Sequence, residues 1–103
     1  MAEAIEEGAP LALSDHRLDY YRGIALILEN RAPAEAEQDL RHYLDTVPDN
    51  ANVPSHSTAH EWLGRLYEKD GQLDKAAQEY QAALTLDSRN KQASEALKAM
   101  QRR

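Results

Sequence analysis

The chain has 103 residues, and 18 acidic against 12 basic side chains give it a formal charge of −6. That length suits one domain able to bury roughly two-thirds of its unfolded surface, and a second domain would not fit. The acidic balance disfavours non-specific attachment to nucleic-acid phosphates or anionic lipid, and the lack of any cysteine excludes a disulfide framework and thiol chemistry.

Residues 1–13, MAEAIEEGAPLAL, are acidic and are then broken by Gly8 and Pro10. They read as a flexible tail, with Leu11 and Leu13 able to pack back and Ser14 or Asp15 capping the first helix. The tail lacks the basic start and long apolar core of a signal peptide, and no stretch reaches the length of a membrane span, so a cytoplasmic location is expected. The first helix is apolar all round at Ile24-Ala25-Leu26-Ile27-Leu28. One buried stripe does not need so much, so the tail or a second copy of the chain is expected to cover it. Near Arg31-Ala32 the chain turns, and Pro33 suits the first position of a second helix, where its missing N–H costs nothing.

After Pro48 a loop is expected over 49–57, with Ser55 or Ser57 capping the next helix. There Ala59, Leu63, Leu66, Tyr67 and Asp70 fall on one stripe, with Glu61, Arg65, Glu68 and Lys69 elsewhere on the cylinder. Asp70-Gly71 ends that helix, because a reversal wants a residue at ease with positive φ. Leu73, Ala76, Ala77, Tyr80, Ala83 and Leu84 then repeat at helical spacing. Their alanines let a partner backbone come close while Tyr67 and Tyr80 fill the space beside it, which predicts a helical hairpin. From Lys91 to the C-terminus, Ala93, Ala96, Leu97 and Met100 share a face, as expected of an amphipathic capping helix. Lys91, Lys98, Arg102 and Arg103 read as charges favoured at the negative end of a helix dipole.

The run from Leu63 to Asp87 resembles the tetratricopeptide repeat family, its small bacterial-type members in particular. With Gly64 at the family's eighth position, Leu63, Gly64, Tyr67, Gly71, Ala76, Tyr80 and Ala83 follow the pattern. His60 stands where the family has its early tryptophan, with Trp62 two residues later, and Ser88 stands at the closing proline. A forty-residue shift pairs Ala36 with Ala76, Gln38 with Gln78, Leu40 with Tyr80, Leu44 with Leu84 and Asn50 with Asn90, which marks a diverged first copy. The family period is about 34 residues, so the loop over 49–57 accounts for the excess. Gly23 matches Gly64 if the first turn holds one extra residue, and Ile24 matches it in an ungapped alignment. The resemblance implies an all-α fold of about two antiparallel helical hairpins and a capping helix in a right-handed superhelical stack. The expected domain covers 14–103, with repeat one over about 16–50, repeat two over about 57–90 and the capping helix over about 90–102.

In that family the first helices of successive repeats line a groove for an extended peptide or a partner helix. Carried over, repeat two offers Thr58, Glu61, Trp62, Arg65, Glu68 and Lys69. Repeat one, ungapped, offers Tyr21, Arg22, Ala25, Leu28 and Glu29. The contacts expected from these are Tyr21, Arg22, Glu61, Trp62, Arg65 and Lys69, with Trp62 and Arg65 foremost because both side-chain types anchor interfaces. A packing role for Trp62, covering the Leu63 and Leu66 seam, stands beside that reading. The family's chaperone-docking clamp is not expected, since Tyr21, Ala25 and Trp62 occupy positions where it needs polar donors.

The chain shows no phosphate loop, serine elbow or cysteine nucleophile, so a non-enzymatic protein without cofactors is expected, binding another protein or peptide but not nucleic acid or membrane. His56 and His60 stand four apart and suit one metal, but two ligands do not make a zinc centre. A small metal-binding or metal-regulated protein is therefore the alternative, and a self-assembling structural subunit, such as a homodimer, is a third.

Overall fold

In the computed structural model, residues 16–49 and 53–102 are described, and all their regular structure is helical: α1 His16–Leu28, α2 Pro33–Thr46, α3 His56–Lys69, α4 Leu73–Leu86 and α5 Lys91–Gln101. The acidic tail and its Ser14 or Asp15 cap lie outside the described residues. Pro33 opens α2 as expected. Ser55 caps α3 by accepting the Thr58 N–H at 3.1 Å, and Asn90 caps α5 by accepting that of Ala93 at 3.1 Å. Ser57, the other candidate cap, is buried instead and donates its hydroxyl to the Ala83 carbonyl at 2.8 Å.

The reversal between α3 and α4 uses Gly71 at φ 78°, while the one between α1 and α2 holds Asn30 at 56° and Ala32 at 42°. Positive φ closes both turns, and only the α3–α4 turn has glycine to take it without strain. α1 runs antiparallel to α2, as the Tyr20 ring packs tilted against Tyr43 and Arg22 bonds Asp39. α3 runs antiparallel to α4, with Ser57 beside Ala83 and Gly64 beside Tyr80.

The close approach in each pair falls on a glycine. A Cβ at Gly64 would lie 2.7 Å from the Tyr80 ring, and one at Gly23 would lie 3.0 Å from Leu40 Cγ. Leu40 and Tyr80 are forty residues apart, whereas the glycines are forty-one apart. The first turn spans 29–32 and the second 70–72, so its one extra residue absorbs the difference. Gly23, not Ile24, therefore occupies the place of Gly64.

Polar links tie the pairs together. The Tyr43 hydroxyl donates to the Pro54 carbonyl at 2.6 Å, His56 Nε2 lies 2.6 Å from the Val47 oxygen, and the Tyr67 hydroxyl donates to Glu37. Tyr20, Ile27, Leu40, Tyr43, Leu63, Tyr67 and Tyr80 form the core between them. Ala93 is fully buried, with Ala96, Leu97 and Met100 packed beside it, the face expected of the capping helix. Asp70 falls past the end of α3 and is exposed, and Leu73, the first residue of α4 beside the turn, is 41% exposed rather than part of the stripe. Lys91 opens α5, at the positive end of its dipole, while Lys98 and Arg102 have the favourable placement expected for these charges and Arg103 lies outside the described residues. Among the described residues no helix is long and apolar enough to cross a membrane.

Candidate functional site

Trp62 and Arg65 are three residues apart and therefore neighbours on the α3 surface. The Arg65 guanidinium lies 4.3 Å from the centre of the Trp62 ring, a cation–π distance. Arg65 Nη2 also lies 2.5 Å from Glu61 Oε2, yet that oxygen makes no directed hydrogen bond, so charge holds the carboxylate. Burial of Glu61 raises its pKa above the usual carboxylate range, and the opposing pull of Arg65 does not cancel the shift.

These three side chains and Thr58 form one wall of a concave pocket of about 430 Å³. The other wall is the corner between α4 and α5, from Asp87 to Gln92, where Arg89 pairs with Asp87 at 3.4 Å. The Glu61 and Arg65 charges are paired, as are those of Asp87 and Arg89, and Lys91 adds a cation. The pocket is thus locally positive on a chain of net charge −6.

The sequence-derived residues do not all meet here. Glu61, Trp62 and Arg65 converge, but Glu61 is 5% exposed and braces Arg65 from below instead of offering a surface carboxylate. Tyr21 stands one ring away: it packs edge-on to Tyr20 at 5.1 Å, and the Tyr20 hydroxyl faces Glu61 and Trp62. Burial, together with the nearby Tyr21 and Glu61, pushes the Tyr20 pKa up to about 12. Arg22 lies on the outer side of the first pair, bonded to both Asp39 oxygens at 2.9 and 2.7 Å and to Asp19 at 3.2 Å. Lys69 sits at the turn end, its ammonium 3.2 Å from the Asn30 side-chain oxygen. The residues missed from sequence are those of the α4–α5 corner. The Asn90 cap, three residues before Ala93, was the signal that a helix end approaches α3 there.

His56 and His60 do not share a site. His56 reaches the Val47 carbonyl, while His60 Nδ1 lies 2.7 Å from Glu79 Oε1. Glu79 also takes Arg41 Nη2 at 2.6 Å, and Arg41 donates to the Tyr67 hydroxyl at 3.1 Å. Burial alone would raise the Glu79 pKa, but hydrogen bonds from His60 and Arg41 override it and hold the carboxylate below its ordinary value. Among the described residues no group of three or more His, Cys, Asp or Glu side chains is placed to hold a metal ion. Comparison of the chain with protein families, with curated proteins and with solved structures finds no match.

Proposed function

We propose that this chain is a non-catalytic protein-interaction module of tetratricopeptide-like build, which takes a peptide segment or helix of another protein into the pocket between α3 and the α4–α5 corner. The observation that carries this reading is the Trp62–Arg65 stack on the wall of that pocket, with Glu61 buried beneath it. A broad aromatic face beside a planar guanidinium, both half-exposed, offers apolar area and directed donors in one place. The paired hairpins support the repeat reading, since Gly23 against Leu40 and Gly64 against Tyr80 repeat one contact at equivalent positions. With its charge of −6, the chain favours a protein ligand over nucleic acid or an anionic membrane.

Selection from a random peptide library on the immobilised protein, followed by titration of the selected peptides, tests this. Peptides that bind the wild type and lose at least tenfold in affinity to Trp62→Ala/Arg65→Ala, with helicity unchanged by circular dichroism, are the expected result. Equal affinity for both proteins would place binding elsewhere.

A further inference from the structure

α1 carries two apolar faces. Tyr20, Gly23 and Ile27 face the rest of the fold and are buried. Leu18, Tyr21, Ala25 and Leu28 form a second row spaced three, four and three residues apart, the spacing of a coiled-coil seam. Ala25 is exposed, and Leu18, Tyr21 and Leu28 are 58%, 55% and 62% exposed. By the glycine match, Leu18 and Ala25 correspond to Ala59 and Leu66 of α3, which are buried within the fold. Tyr21 and Leu28 correspond to the half-exposed Trp62 and the exposed Lys69, so α1 leaves bare two positions that α3 buries and adds two large apolar side chains beside them.

The far end of the molecule is finished differently. α5 exposes Lys91, Gln92, Glu95, Lys98 and Arg102, a polar surface that gives a head-to-tail partner nothing apolar to meet α1. A two-fold arrangement meets α1 with α1, and the charges beside the seam favour it. Arg22 and Glu29 flank one edge of the row, a heptad apart, with side chains 64% and 54% exposed. In antiparallel packing Leu18 faces Leu28 of the second copy and Tyr21 faces Ala25, large against small. That register brings Arg22 of each copy toward Glu29 of the other, twice by symmetry. Arg22 holds Asp39 and Asp19 through Nε and Nη2, and Glu29 accepts from Arg31 at 2.8 Å through Oε1, which leaves Arg22 Nη1 and Glu29 Oε2 for the second copy. Parallel packing would set Ile24 against Glu29 instead.

We propose that the chain forms a homodimer through α1, packed antiparallel on α1 of a second copy. The surface is separate from the pocket of the proposed function, so either reading survives loss of the other. Because the chain has no cysteine, introduced thiols report the register directly. Leu18→Cys/Leu28→Cys should form an intermolecular disulfide under mild oxidation, while either single variant should not, its two thiols lying about 15 Å apart along the axis at 1.5 Å per residue. Sedimentation equilibrium of the full wild-type chain should give twice the 11.6 kDa chain mass, and Leu28→Glu, checked for helicity, should weaken the dimer at least tenfold. A monomeric wild type, whether residues 1–15 or another protein covers the face, overturns the proposal. So does a dimer indifferent to Leu28→Glu, or one that the single cysteine variants cross-link as readily as the double.

Discussion

The Tyr80 ring occupies the space a side chain at Gly64 would need: a Cβ there would lie 2.7 Å from Cε1, 2.8 Å from Cδ1 and 2.9 Å from Cζ. The ring cannot swing away freely, because its hydroxyl donates to Glu68 Oε1 at 2.8 Å and its body is 1% exposed. Gly64→Ala therefore forces α3 and α4 apart. Although alanine gains about 1 kcal/mol of helix propensity over glycine, the overpacking costs about 1–3 kcal/mol and more than offsets it in so rigid a contact. Gly23→Ala meets Leu40 Cγ at 3.0 Å and the Ala36 carbonyl oxygen at 3.3 Å, looser contacts than the ring makes at Gly64, so the same gain offsets more of the cost. Urea unfolding of both variants should show Gly64→Ala more destabilised than Gly23→Ala; the reverse order would mean that the contact at Gly23 is the tighter of the two.

Ala76→Leu probes the same seam from the other helix. Ala76 is fully buried, and three extra carbons at a close helix crossing have no space to enter. A loss of about 1–3 kcal/mol is expected. An unchanged melting temperature would show that α4 stands further from its neighbours than the buried alanines indicate.

How far the sequence carried this reading depends on residue type. Periodicity and turn chemistry were enough for α3, α4 and the turn at Gly71, because small residues, tyrosines and a positive-φ glycine each have one cheap place in a hairpin. The α1–α2 register was legible only as two alternatives: that turn takes positive φ at Asn30 and Ala32 without a glycine to mark it, so nothing in the sequence chose between Gly23 and Ile24. Trp62 and Arg65 were legible as neighbours from their three-residue spacing. The burial of Glu61 was not, since a glutamate on the polar side of a helical wheel gives no sign that Tyr20 and Arg65 will enclose it. The α4–α5 corner joins the site through tertiary contact alone.

Tyr67 links the two helix pairs through its hydroxyl, which donates to Glu37 and accepts from Arg41. Tyr67→Phe keeps the ring and removes both bonds, at a cost of about 1–3 kcal/mol because charged partners lose a hydrogen bond. Glu37→Gln should cost less once Tyr67 is already phenylalanine. A double-mutant cycle by urea unfolding should give a coupling of about 0.5 kcal/mol or more. Strict additivity would mean that the contact does not join the pairs in solution.

Glu61 and Glu79 are both buried carboxylates on the second hairpin, and their pKa values shift in opposite directions. For Glu79 the folded value is below the unfolded one. Its stabilisation is therefore present above the unfolded value and lost as pH falls through the folded one. For Glu61 the folded value is raised, so its favourable contribution belongs to pH below the unfolded value and is lost as pH rises through the folded one. At neutral pH Glu79 thus supports the fold and Glu61 weakens it. Glu79→Gln should lower the melting temperature at neutral pH, with the deficit shrinking in acid as the wild-type carboxylate protonates. Glu61→Gln removes a charge that burial disfavours, so it should raise the melting temperature at neutral pH, with the gain fading as pH falls through the raised folded value and gone once pH is below the usual carboxylate range. Thermal unfolding of both variants and the wild type across that range tests the pair. A neutral-pH loss in Glu61→Gln would show that Arg65 more than compensates the burial of Glu61, so that the stack on Trp62 owes its place to a net attractive ion pair.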